Sequence, residues 1–478
     1  MSTERPHIFE ALGEVTSRGG HRHRGFGALD ANRSRRSTHA CVELAQCDQG
    51  IARQGECGRI RRRGGSEAHF FDHGACRAPT KTLRLCLDWR AERAPANPRW
   101  SEARSMELDL TSDQEILRAT TARFISEACP LAMVRQIADG TSVRPSDYVS
   151  RAAELGWFAL LVPEQHGGGS VSGDGLRDLA LIAEERGRVL QPGPFVSMNV
   201  VAAALVAAGS TAQQALALGP ICRGEVVATW AVGGGLGGGS DAVITVSERG
   251  GDFELSGRAA VVQGGVGADW LLVTADGREG SSQFLVAGDT PGISARPLGG
   301  LDITQEVSSV EFEHVVVQPS SVIGAHGGGG EDVERQLELA CVLTAVETVG
   351  ALDVLFEMTR RYAIERIAFG RPIGSFQAVK HQLADMSLSL ECAKAITADA
   401  VRAVQAGDAD AGEIVSMAKW WVGDTGIDIA QGCFQLFGGI GFTWQHDLHL
   451  FLRRITTNSI LFGQPDWHRE RICRLHGL

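Results

Sequence analysis

The chain has 478 residues, 44% of them hydrophobic, with a formal charge of −11 and a pI near 5.7. That length and apolar share suffice for two or three domains with large cores, and the acidic balance excludes a nucleic-acid surface built on clustered Lys and Arg. No apolar run reaches the roughly 18 to 20 residues that span a bilayer, and the N-terminus lacks the apolar segment of a secretory signal, so the soluble cytoplasm is the expected compartment. Of the 11 cysteines, those after Met106 lie far apart without paired spacing, which fits reduced thiols.

From Met1 to Ser105 Arg, His and Cys are frequent and no helical or strand period is sustained. The segment is expected to be a disordered leader or an over-long translation whose true start is Met106, because so little apolar periodicity cannot offset the entropy of ordering. His69 and His73 have a ligand-like spacing near Cys57 and Cys76, but no Cys-x2-Cys pair accompanies them and no metal site is expected. Acids at Glu10, Asp30, Glu43, Asp48 and Glu56 speak against a transit peptide.

After Met106 three segments follow: helical over 106–224, β over 225–326 and helical again over 327–478. Thr111-Ser112-Asp113-Gln114 has the form of a capping box, so a helix starts there. Helical patterns recur at Asp147 to Leu155, Gly175 to Val189 and Phe195 to Ala208, punctuated by Pro163, the glycines 167–169 and Pro192-Gly193-Pro194. Around Glu225 the period shortens, and Val226 to Val232, Ala242 to Val246, Asp252 to Leu255, Trp270 to Val273, Gln283 to Val286 and Val307 to Phe312 read as strands. The glycines 233–239 do not open a helix, so they read as a loop and not as a phosphate cradle. Beyond Gly330, Leu339, Val342, Val346, Val349 and Phe356 recur at helical spacing, and that helix is expected to run to about Phe369, stopped by Gly370-Arg371-Pro372. Val379, Leu383, Met386 and Leu390 mark a further helix, and Ile414, Ala418, Val422 and Ile429 another, the ingredients of an antiparallel bundle.

Several strings carry a resemblance. Leu155-Gly156-Trp157 through Gly168, Gly239-Ser240-Asp241, Glu365-Arg366-Ile367-Ala368-Phe369-Gly370-Arg371-Pro372-Ile373-Gly374-Ser375-Phe376-Gln377 and Gln435-Leu436-Phe437-Gly438-Gly439-Ile440-Gly441-Phe442 are similar to motifs of the acyl-CoA dehydrogenases, over essentially all of Met106 to Leu478. The resemblance implies a mainly α fold with a central β domain and a C-terminal four-helix bundle. It also implies FAD, an acyl-CoA substrate, a homo- or heterotetramer and an electron-transfer flavoprotein as acceptor.

By that resemblance Arg366 would meet the FAD pyrophosphate, where a forked, permanent cation suits phosphate oxygens. Phe369, on the same helical face, and Gln435 and Gly439 would lie against the cofactor, and Ser240 would end the flavin-contacting loop. Where the family usually has Trp-Ile-Thr, the chain has Val261-Val262-Gln263, so a hydroxyl that would bond the flavin ring is missing.

The family's reaction takes a proton from the carbon beside a thioester carbonyl while a hydride leaves for the flavin, and it needs a carboxylate base. Of the family's two positions for that glutamate, one falls on Phe462 and the other on Ala340; neither residue can take a proton. Glu338 and Glu347 are weak substitutes, the first turned about 200° away from Ala340 and the second roughly 10 Å along the axis; a solvated face or a packed ion pair is the alternative role for each. Asp466 reads as the cap of a last helix, Trp467 to Leu475. Two readings stand: an acyl-CoA dehydrogenase with an unidentified base, or a base-less structural partner that completes the FAD site of a catalytic sister chain.

Overall fold

A computed structural model of the chain describes residues 110–233 and 242–478. The leader and Ser240, with the rest of the glycine-rich loop, lie outside the described residues. The capping box works as its sequence implies: Thr111 Oγ1 accepts from Gln114 N, and Gln114 Oε1 accepts from Thr111 N, both at 3.2 Å, starting α1 (Ser112–Ala128). The expected helices are α3 (Tyr148–Glu154), α4 (Gly175–Arg188) and α5 (Phe195–Ala208). Two more were not expected, α2 (Leu131–Ala138) and α6 (Thr211–Cys222). The second was legible, because Ser210 and Gln213 form another capping box.

All the expected strands are present as β1 (Ala228–Val232), β2 (Ile244–Arg249), β3 (Asp252–Gln263), β4 (Trp270–Gly277), β5 (Gly280–Ala287) and β7 (Val307–Val317). The mostly exposed β6 (Ile293–Pro297) and the short β8 (Val322–Ile323) join them in one sheet of order β6-β7-β3-β2-β4-β5-β8, with β1 parallel to β4. One face encloses Ile244, Leu255, Val262, Val273, Phe284 and Val310. The other carries Ala228, Trp230, Leu272 and Leu285 into the core shared with the helices, as strand alternation requires.

The bundle is built on α7 (Gly330–Glu365), and its expected face is inside: Leu339, Val342, Val346 and Val349 are all buried. A window of this helix is long and apolar enough to cross a bilayer, which the sequence reading had not picked out, but 83% of it is buried within the fold. The helix crosses α4 backbone to backbone. A Cβ on Gly187 would lie 1.9 Å from the Glu347 carbonyl oxygen, and one on Gly350 would lie 2.2 Å from that of Glu184. Beside them pack α8 (Gln377–Ala406), α9 (Ala411–Phe437), α10 (Leu448–Ile460) and α11 (Pro465–Leu475).

Two expectations are corrected at helix ends. The long helix stops at Glu365, not Phe369; Ile367–Ala368 and Arg371–Pro372 then pair as a hairpin, β9 and β10. Phe369 (φ 56) and Gly370 (φ 80) are its turn, the left-handed pair a two-residue hairpin uses. Phe369 therefore shares no helical face with Arg366. At the other end Gln464 is the N-cap residue of α11, Pro465 opens the helix, and Asp466 makes no cap bond but pairs with Arg469 at 2.5 Å.

Candidate functional site

Two of the residues expected at a cofactor, Phe369 and Gln435, line one groove of about 370 Å³ with Ile373, Phe376, Ala378, Val379, Gln382 and Leu436. Phe369 is 94% exposed, an unusual position for a large ring unless something covers it. Arg371 lies over the Phe376 ring at 4.0 Å, while Arg366, the C-cap of α7, is exposed and pairs with no carboxylate among the described residues. A Cβ on Gly439 would meet nothing within 4 Å, so the chain's own packing does not require glycine there.

The loop that carries Phe462 is bonded to the turn of α7 that carries Ala340, the two positions matched to the family's glutamate. Ala340 is wholly buried on α7, and its neighbour Cys341 donates its thiol to the Phe462 carbonyl at 3.5 Å. Phe462 has φ 59, a left-handed backbone that costs a bulky residue on the order of 1 kcal/mol or more and persists only where its surroundings fix it. They do: His468 Nε2 lies 3.1 Å from the same carbonyl, and Lys419 Nζ donates to the carbonyls of Asn458 (2.7 Å), Ser459 (3.1 Å) and Gly463 (3.3 Å). Burial lowers the Lys419 ammonium to about 8, while those carbonyls at the end of α10 favour its charged form. The Phe462 ring stacks on Trp230, which the sequence reading did not single out.

Burial, and then the charge on Lys419, push His468 down to about 3 from an ordinary 6.5. A depressed base favours the folded state in its neutral form, so this stabilisation is complete above about 6.5 and is lost as pH falls towards about 3. His468→Gln, which keeps a donor without titrating, should flatten that dependence. Urea melts of both proteins at about pH 7 and about pH 4.5 check it; parallel losses would mean that His468 does not titrate this way.

Both substitute carboxylates are committed elsewhere. Glu338 faces Arg471 at 3.6 Å, its oxygen 2.8 Å from where a Gly412 Cβ would lie, and burial raises its pKa. Glu347 is buried and accepts from Arg454 Nη1 at 2.7 Å, the packed ion pair named as its alternative role. Arg454 itself went unseen in the sequence. It is fully buried and also donates to Asp302 from Nε, to Thr304 Oγ1 (2.7 Å) and to the carbonyls of Leu190 (3.2 Å) and Gln191 (3.3 Å). The signal was there: Arg454 falls three residues after Phe451 and four before Asn458, on the buried stripe of α10.

In the β domain stands Gln263, the residue that the sequence resemblance sets where the family has a flavin-bonding hydroxyl. It is 6% exposed, and its side-chain oxygen has no hydrogen-bond partner among the described residues. Since Val262 faces the sheet's own core, alternation turns Gln263 to the helix side, the side of Trp230.

Residues 111–225 match the model of the acyl-CoA dehydrogenase N-terminal domain, and residues 327–475 match that of the C-terminal domain. The chain belongs to the acyl-CoA dehydrogenase family. Among other acyl-CoA dehydrogenases, IpdE2 of Mycolicibacterium smegmatis is 27% identical over 367 residues, 77% of this chain and 98% of its own. FadE34 of Mycobacterium tuberculosis is 33% identical over 366 residues, which are 75% of this chain but 46% of the relative. A solved structure named Tcur3481-Tcur3483 steroid ACAD matches with a TM-score of 0.68 and 28% identity, over 76% of this chain and 97% of the other.

Proposed function

We propose that the chain is one subunit of a heteromeric acyl-CoA dehydrogenase, which dehydrogenates the α and β carbons of an acyl-CoA thioester, and that an unlike sister subunit supplies the base. The observation that carries this reading is the meeting of Phe462 with the Ala340 turn of α7, where neither family position offers a carboxylate. The ion pairs of Glu338 and Glu347 with Arg471 and Arg454 support it, because a base held by a guanidinium is not free to approach a carbon acid. The Tcur3481-Tcur3483 relative, two chains under one activity, supports an unlike partner, and its name points to a steroid acyl group as well as a fatty one.

FAD is the cofactor on this reading, and it supplies the hydride acceptor when bound. The residues fit it: Arg366 offers a forked cation, without a carboxylate partner among the described residues, for the pyrophosphate, while Phe369 and Gln435 share a groove for the adenosine end and Gly439 leaves its backbone open. Gln263 brings a buried oxygen, unpartnered among the described residues, to the cradle, where the family hydroxyl is missing. An electron-transfer flavoprotein is the acceptor and the cytoplasm the compartment.

The test is to produce the chain with and without a sister acyl-CoA dehydrogenase subunit and measure flavin per chain and native mass. Flavin and a heterotetrameric mass should appear together. A homotetramer that holds full flavin and oxidises acyl-CoA alone would overturn the reading. Within the complex, Arg366→Ala should lower flavin occupancy and Arg366→Lys should restore it only in part, since the fork is lost; full occupancy in the alanine variant would make Arg366 a bystander.

A further inference from the structure

Trp230 and Phe462 lie as near-parallel rings, centroids 6.0 Å apart and planes 14° from parallel, a separation at which aromatic rings touch and no third layer fits between them. Each is held from behind by a buried polar chain. Trp230, 3% exposed, donates its indole N–H to Thr274 Oγ1 at 3.1 Å. That hydroxyl also accepts from Gln283 Nε2 at 3.0 Å, and Gln283 exchanges two amide bonds with Gln336 on α7, at 2.6 and 2.8 Å. Phe462 is fixed through its carbonyl by His468 and Cys341, and through the following carbonyl by Lys419. Loss of a base alone would have required only a small or amide side chain. The chain instead has two large rings, one from β1 and one from the loop before α11, stacked on each other, and that loop is bonded to the Ala340 turn through Cys341.

We propose that this anchored pair is a plug: it fills the place where an acyl thioester would meet a base, so this chain's own site admits no acyl-CoA. The proposal rests on the partner reading and deepens it, because it makes the complex hold one acyl-CoA for each pair of unlike chains. The rings come from segments far apart in sequence, and the bonds that anchor Trp230 and the Phe462 carbonyl are all made within this chain.

The test is calorimetric titration of the full chain with octanoyl-CoA, without the sister subunit. The wild type should show no saturable binding. Phe462→Leu, which removes a ring but keeps apolar volume, should gain binding, and Trp230→Gly with Phe462→Ala should gain more, to one equivalent per chain. Burial of even two methylenes of the acyl chain tightens binding by about tenfold, which sets the gain to look for. Trp230→Phe, which keeps a ring pair, should stay silent. Near-ultraviolet circular dichroism establishes that each variant is folded, and if the double variant is not, the contrast between Phe462→Leu and Trp230→Phe decides alone. Stoichiometric binding by the wild type, or silence of the folded Phe462→Leu protein, would overturn the plug. A wild type that binds octanoyl-CoA without oxidising it sinks the plug and leaves the partner reading intact; one that oxidises it sinks both.

Discussion

Purified alone and supplied with FAD, the chain is expected to oxidise no acyl-CoA, and turnover is expected to appear only with its sister subunit. Replacing the family-position glutamate of the sister by Gln should then cost the complex about a hundredfold or more, the usual consequence of removing a general base. Glu338→Gln in this chain should leave the turnover number within about twofold, because its carboxylate is turned to Arg471. Glu347→Gln should likewise spare the chemistry of whatever complex still assembles, and its cost should be read in stability. Dye-linked assays of chain, sister and complex at matched flavin content measure all of these. Activity in the isolated chain that vanishes with Glu338→Gln would identify a base here and end the partner reading.

The largest stability effect is expected at Arg454. Its guanidinium is fully buried and joins Glu347 of α7 to Asp302 and Thr304 of the loop after β6, and to the carbonyls of Leu190 and Gln191 between α4 and α5. Arg454→Met leaves two buried carboxylates without their cation, and breaking such a pair from one side costs about 3–5 kcal/mol. A second buried cation, Arg186, stands over the Phe195 ring at 4.6 Å and feels the Glu347 charge, so the pocket holds two arginines and two carboxylates. Neutralising one acid together with Arg454, by Asp302→Asn and Arg454→Met, leaves Glu347 with Arg186 and should therefore cost less than Arg454→Met alone. Denaturant unfolding measures the difference. A loss below about 1 kcal/mol for Arg454→Met would place this ion pair among the weak surface ones.

The fold was largely legible because its punctuation is local. Thr111 and Gln114 cap α1 through residues three apart, and the short apolar runs from Val226 to Phe312 are strands bounded by Gly and Asp. The hairpin after Glu365 was not legible as one: Ile367 and Phe369 continue an apolar pattern, and the extended backbone at Arg366 and the left-handed turn at Phe369-Gly370 are visible only in the structure. At the site, the groove partners Phe369 and Gln435 came from motifs, whereas Trp230 stacked on Phe462 could not, since no spacing rule joins a strand to a loop of another domain. Arg454 was legible only from its place on the apolar stripe of α10. Arg453 is only partly buried and bonds the Leu301 carbonyl, while Arg454, one residue on, takes the core.

The close crossing of α4 and α7 also bears on the order in which the chain can fold. Arg188 pairs with Asp353 across it at 2.5 Å, and these residues are 165 positions apart. Closing so long a loop costs entropy before any contact repays it, and the glycine faces of the two helices interlock only when both are formed. During synthesis α4 emerges long before α7, so the side that crosses α7, which includes Glu184 and Gly187, must wait uncovered while the whole β domain is made. The first helical segment is thus an incomplete nucleus, and the nascent chain is most exposed to aggregation in the interval before α7 arrives.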